Sequence, residues 1–217
     1  MKFCVRHKQS CVKSQLDRPT CVAFATTAFH EYQVEVCGAQ KEICNLDLSE
    51  EFLYYFCKET DGRKRFAGTT MMAASAVLRI HGQCIEHLLP YNTISIKGPS
   101  PSPGAISDAS TRIYGTLSRL KVDRRELEKA LANEAPTIAV AEWYSNSYRV
   151  AEGKIAMPTG ADRHLGRHAV LIVGVNDVDS EGYRIWFKNS WGLKWGDHGF
   201  GSFGLDYFNA YCTELWG

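Results

Sequence analysis

Residues 167–189 run RHAVLIVGVNDVDSEGYRIWFKN. The apolar, Val- and Ile-rich run at 168–175 reads as one strand and residues 183–189 as a second, with Asp179-Ser180-Glu181-Gly182 supplying the turn between them. Residues 137–143 and 200–208 carry the same signal, so the chain from about 137 onward reads as β-rich. Earlier in the chain the period changes. Apolar residues at 21, 24, 25, 28, 29 and 32 fit a helix over 21–33 with one buried face, started by Pro19 and Thr20. Ser49 leads into a second helix with Glu50 and Glu51 in its first turn, ending by Gly62. Thr69-Thr70 opens a third that carries Met72, Ala73, Ala76, Val77 and Ile80 and is closed by Gly82. Asp123 with Glu126 makes a capping-box-like start for a helix through Asn133, stopped by Pro136. Between the halves, GPSPSPG at 98–104 is too rich in Pro and Gly for a helix or a central strand and reads as a crossing. A helical half followed by a β-rich half is an α+β layout.

The 217 residues suffice for one large domain or two lobes. Lys and Arg total 25 against 24 Asp and Glu, a net charge of +1 that gives no reason to expect nucleic acid or a membrane surface. The densest basic cluster, Arg63-Lys64-Arg65, follows Asp61-Gly62 and reads as a solvated loop. The longest apolar run, 169–175, is too short to span a bilayer. Residues 1–10 carry Lys2, Arg6, His7 and Lys8 around no apolar core, which is not a secretory signal. The expected location is cytoplasmic or reached by a non-classical route, or secreted if the chain is a mature fragment. Eight cysteines stand at 4, 11, 21, 37, 44, 57, 84 and 212, none in CxxC spacing, which argues against a zinc site or a redox couple. No metal and no cofactor is expected. If one cysteine is a nucleophile, the remaining seven cannot all pair internally.

Cys21 falls at a predicted helix N-terminus, where unpaired N–H groups and the macrodipole favour an anion. A cysteine acts as a nucleophile through its thiolate, which a nearby imidazolium would favour further. Taken alone, a core cysteine is the commoner reading. Gln15, six residues earlier, is near enough for its amide to join the Cys21 backbone N–H as an oxyanion hole.

The stretch QLDRPTCVAF at 15–24 is similar to QGxCGSCWAF around the nucleophile of papain-family cysteine peptidases. LSEEFL at 48–53 looks like the family's LSEQEL helix start; Gly68, the following helix and Leu89-Pro90-Tyr91 resemble its glycine-rich wall, helix and YPY segment. RHAVLIVGV at 167–175 resembles DHAVxxVGY, and KNSWGLKWGDHGF at 188–200 resembles KNSWGxxWGxxGY. Cys21 and His168 are 147 residues apart and His168 and Asn189 are 21 apart, as expected when nucleophile and base come from different lobes. The resemblance covers nearly the whole chain. It implies a two-lobe fold, a helical left lobe and a β-barrel-like right lobe with the active-site cleft between them. One peptidase domain over 1–217 would divide into a helical lobe at about 15–97, a crossing at 98–107 and a β-rich lobe at 108–217.

It also implies roles. His168 would be acid to the leaving amine and then base to water, and Asn189 would accept from the other ring N–H. Trp191 would cover that bond and Trp195 would line the primed-side wall. Gly68 would bond the substrate main chain, with Thr69, Thr70, Met71, Ala139 and residues around Gly166 and Arg167 near the S2 pocket. His164 lies in the loop 160–166 and ranks below His168. The implied activity is hydrolysis of peptide bonds through a thiolate–imidazolium pair and an acyl-enzyme. The alternatives are another acyl transfer or isopeptide cleavage, or a non-catalytic binding member. The implied partners are a peptide or protein substrate and a proteinaceous or propeptide-like inhibitor. Arg18 stands where the family has its first cysteine, Val22 replaces a tryptophan, and Ala67 replaces a glycine; these departures resemble reduced-disulfide bacterial members more than animal cathepsins. Arg167 stands where papain has an acidic residue, and a positive charge there would disfavour the imidazolium.

Overall fold

Ser49, Thr70, Ser102 and Asp123 each turn a side-chain oxygen back onto the chain, accepting from the N–H of Phe52 (3.0 Å), Ala73 (3.2 Å), Ala105 (3.2 Å) and Glu126 (2.9 Å). Each bond satisfies one of the donors that a helix start leaves over. A computed structural model describes residues 2–37, 46–63, 65–93, 97–115, 117–148, 150–176 and 182–217. In chain order the elements are β1 (Phe3–Cys4), α1 (Cys21–Cys37), α2 (Glu50–Thr60), α3 (Met71–Ile80) and α4 (Pro103–Ala109). There follow β2 (Arg119–Leu120), α5 (Arg124–Ala132), β3 (Thr137–Tyr144), β4 (Lys154–Ile155), β5 (His164–Val175) and β6 (Arg184–Lys188). The chain ends with β7 (Phe200–Gly204), α6 (Leu205–Tyr211) and β8 (Cys212–Trp216). No described helix is long and apolar enough to cross a membrane.

These elements fall into two compact units. One comprises Lys8–Cys11 and Gln15–Ser118 and holds α1 to α4; the other comprises Met1–His7, Val12–Ser14 and Arg119–Gly217. The Pro/Gly stretch lies within the helical unit. Pro103 and Gly104 open α4 rather than excluding a helix, because proline at the first helical position lacks only an N–H that would have no partner there. The helical unit packs Phe52 with Cys84, Leu89, Ala105 and Ala109 in one core cluster. Gly82, expected to close α3, has φ +67°, and a Cβ there would lie 2.2 Å from the Ala109 carbonyl. Only glycine serves that turn.

In the β unit the strands run in the order β2-β8-β3-β5-β6-β7-β4, with β1 also pairing β5. This path is open at both ends among the described residues, so the expected barrel-like lobe is an open sheet rather than a closed barrel. The strand expected over 200–208 stops at Gly204, and α6 takes over, burying the adjacent Tyr207 and Phe208. A helix buries neighbours side by side where alternation along a strand would send them to opposite faces. β5 begins at His164, so that residue belongs to a strand and not to the predicted loop. The core sets Leu127 and Leu131 of α5 against Val170, Ile172, Ile185 and Phe187. Cys4, Cys11, Cys21, Cys57, Cys84 and Cys212 are unbridged. Cys44, the Cys37 side chain, Lys64 and all of the expected 179–182 turn except Gly182 lie outside the described residues.

Candidate active site

Sequence-predicted functional residues occur in both units. In the helical unit, Cys21 is the first residue of the 17-residue α1, whose opening turn is closed by the Phe24 N–H on the Thr20 carbonyl at 3.1 Å. Its sulfur is therefore carried at the positive end of a long helix dipole. Residues 15–20 curl back on themselves ahead of it. The Gln15 amide nitrogen donates to the Arg18 carbonyl at 2.8 Å, and the Thr20 N–H reaches the same oxygen at 2.8 Å. Tyr91 donates its hydroxyl to the Gln15 carbonyl at 3.0 Å and lies 2.6 Å from the Thr20 hydroxyl. Gln15 is 7% exposed, a buried amide rather than the surface residue an isolated glutamine usually is.

The segment carrying Gly68 is held from α2. Lys58, wholly buried, donates to the Asp61 carboxylate (2.9 Å), the Arg63 carbonyl (2.8 Å) and the Gly68 carbonyl (3.0 Å). Three acceptors match the three protons of the ammonium. The Gly68 N–H donates to the Tyr54 hydroxyl at 3.1 Å, and the Thr69 hydroxyl to Asp61 at 2.9 Å. Thr70 is occupied as the cap of α3. Met71 is 2% exposed, with the Thr26 hydroxyl 3.9 Å from its sulfur, so it is a core residue rather than a pocket lining.

In the β unit, β5 and the turn after β6 bring His168 and Asn189 together. His168 Nε2 lies 2.8 Å from Asn189 Oδ1, and the same oxygen accepts the Ser190 N–H at 2.8 Å. The backbone donor identifies that amide atom as the oxygen, so His168 must carry its proton on Nε2 and present a lone pair at Nδ1. Two indoles flank the ring, Trp143 at 4.9 Å and Trp191 at 5.1 Å between centroids. Burial pushes His168 down to about 4, and the bond to Asn189 acts weakly the other way. Trp191, which packs against the His168 ring, also stacks on Tyr148 at 5.4 Å. Trp195 is 7% exposed and donates its N–H to the Ser147 carbonyl at 2.8 Å, while Ala139 is fully buried in the sheet core. Both pack inside this unit. In the sequence Trp143 only ends a strand, although alternation puts Ala139, Ala141 and Trp143 on one face of β3.

Arg167 points the opposite way from His168, as successive strand residues must. In the β3–β5 pairing Ala141 faces His168 and Glu142 faces Arg167. Glu142 takes the Arg167 Nε at 3.1 Å and lies 2.6 Å from His164 Nε2. Partial burial raises the Glu142 carboxyl, but the bonds from His164 and Arg167 outweigh it and hold it below its usual range. The positive charge beside His168 is thus paired on the far face of the strand, which weakens the expected effect on the imidazole.

Residues 2–212 match the papain family of cysteine proteases. Cathepsin J of Rattus norvegicus is 29% identical over 149 residues, which cover 66% of this chain and 43% of that protein. Vignain of Phaseolus vulgaris is 27% identical over 87% of the chain and 49% of its own length. The chain therefore spans less than half the length of these curated relatives. Among solved structures, xylellain, a cysteine protease from Xylella fastidiosa, superposes with a TM-score of 0.82 at 24% identity over 95% of this chain and 81% of its own. The bromelain protease from Ananas comosus in complex with the E64 inhibitor gives 0.74 at 19% identity, over 97% and 93%. At those identities the likeness establishes the papain-like α+β fold.

Proposed function

The chain belongs to the papain family of cysteine proteases, and we propose that it hydrolyses peptide bonds with Cys21 as nucleophile and His168 as its proton partner. In this reading the Cys21 thiolate attacks the scissile carbonyl carbon, and the oxyanion is met by the Gln15 amide and the Cys21 backbone N–H. The His168 imidazolium gives its Nδ1 proton to the leaving amine, leaving a thioester. Neutral His168 then takes a proton from water, which attacks the thioester and releases the acid and the thiolate. Asn189 holds the proton on Nε2 throughout, so that Nδ1 is the nitrogen that gives and takes the mobile proton. Gly68, Thr69 and Thr70 are the proposed substrate wall; since the Gly68 N–H is given to Tyr54, the Gly68 carbonyl, with a lone pair beyond its Lys58 bond, is the proposed main-chain contact for a peptide or protein substrate.

The observation that carries this reading is the tautomer lock, since the Ser190 N–H and His168 Nε2 converge on Asn189 Oδ1 at 2.8 Å each. Merely structural histidines have no need of a defined lone pair at the other nitrogen. The test is labelling by an epoxysuccinyl inhibitor of the class bound in the bromelain structure, with mapping of the modified residue. Labelling at Cys21, hydrolysis of fluorogenic dipeptides, and loss of both in Cys21→Ala are the expected results. Labelling without hydrolysis would move the assignment to another acyl transfer, and absence of both from folded protein would overturn catalysis.

A further inference from the structure

We propose that Arg18 is a positioning residue whose buried ion pair with Glu51 fixes the aim of the Gln15 amide. Arg18 stands three residues before Cys21, where the family pattern has a cysteine. Its side chain is 5% exposed and that of Glu51 is 0% exposed. One guanidinium nitrogen bonds Glu51 Oε2 and the Asn92 carbonyl, and the other donates to Glu51 Oε1 at 3.0 Å. This is a two-pronged fork, the geometry in which arginine is most directional. The guanidinium carbon lies 4.6 Å from the Tyr54 ring centre and 5.4 Å from that of Tyr91. Glu51 also takes the Asn92 N–H at 3.0 Å, so the carboxylate ties α2, the 91–92 segment and the nucleophile loop into one network.

The consequence lies in the backbone of the same residue. The Arg18 carbonyl is the acceptor of both the Gln15 amide and the Thr20 N–H, and the Arg18 N–H returns to the Gln15 carbonyl at 3.3 Å. Moving the Arg18 side chain moves the atom that orients the Gln15 amide. A surface arginine would give no such constraint, because exposed ion pairs hold little. Here the pair is desolvated and cannot rearrange into water. Gly98 completes the arrangement from outside: a Cβ on it would lie 1.7 Å from Glu51 Oε1.

The proposal rests on Gln15 being an oxyanion donor, and a double-mutant cycle separates the two claims. Arg18→Met with Glu51→Gln removes both charges together, leaving no uncompensated ion in the interior. With a fluorogenic dipeptide, kcat should fall roughly tenfold or more and KM should stay within about twofold, since oxyanion donors act in the transition state. Alkylation of Cys21 by iodoacetamide should proceed at the wild-type rate. In a Gln15→Ala background the same pair of changes should alter kcat less than about threefold. Gly98→Ala, which displaces the carboxylate with both charges still present, should lower kcat in the same background-dependent way. A fall of equal size with and without Gln15 would overturn the Arg18 proposal. An unchanged kcat in Gln15→Ala alone would instead overturn the oxyanion reading, and the proposal with it.

Discussion

His168 is where burial and charge compete most directly. Isolated by its two indoles, the imidazole is pushed down to about 4 by loss of water, and the Asn189 bond recovers little of that. A charged His168 near neutral pH needs an anion beside it, which under the proposed mechanism would be the Cys21 thiolate, and the two would then titrate as one pair. In Cys21→Ala the imidazole should therefore titrate well below 6.5, and in the wild type the same ring should remain charged to higher pH. Following the His168 ring protons by NMR across pH in both proteins checks this. A midpoint near 6.5 in Cys21→Ala would mean that the ring is not buried as described. At this scale the sequence was unevenly informative. His168 and Asn189 were identifiable because their neighbours form long, ordered segments. The Ser190 N–H that fixes the tautomer was invisible, since a backbone donor leaves no mark in residue type. Met71 and Ala139 were placed in a pocket by position alone, and their burial shows how little position says about which way a side chain points.

The helices were legible where capping chemistry announced them. Ser49, Thr70 and Asp123 each stand within a residue of the observed starts, because a short side-chain oxygen meeting an orphan N–H is a local event. α4 and α6 were missed for a physical reason in each case: proline reads as a breaker although the first helical position tolerates it, and an apolar run reads as strand until its burial is known. The buried ammonium of Lys58 was also illegible, since lysine is nearly always exposed. It holds three points of the 61–68 segment, the one that carries Gly68. Lys58→Met would leave the Asp61 carboxylate without its cation in the interior, a loss of about 3–5 kcal/mol. For a chain of this size the thermal midpoint should fall by roughly 10 °C. Adding Asp61→Asn should recover part of it, and calorimetry of the three proteins decides. If Lys58→Met melts with the wild type, the ammonium is not holding this element.

Across the whole molecule, each unit pairs burial with a lowered histidine among the described residues: His30 and the half-buried His81 in the helical unit, and His168 in the β unit. In the helical unit His30 places Nδ1 3.0 Å from Gln83 Oε1, with Glu31 and Arg112 the nearest charges. Burial lowers its pKa from the ordinary 6.5, as it does that of His168 in the β unit. That pairing was not predictable from composition, nor was the recruitment of residues 1–7 to the β unit through a two-residue strand. A depressed histidine binds its proton more readily in the unfolded chain, so its contribution to stability is complete above about 6.5 and is lost as pH falls toward the folded value. The carboxyls of Asp61, Asp108 and Glu142 are also held below their usual range by ammonium, guanidinium and backbone partners despite burial. Their contributions fade in more acid solution, and with the same sign. The urea midpoint should therefore be level between about pH 7 and 8, decline steadily below 6.5, and decline again in alkali, where the buried Cys84 and Cys212 thiols resist an ionisation open to the unfolded chain. In His30→Gln, whose amide can still donate to Gln83, the decline between about pH 6.5 and 5 should be shallower than in the wild type. Equal slopes in the two proteins would show that the His30 proton plays no part in acid unfolding, leaving His81 and the carboxylates to account for it.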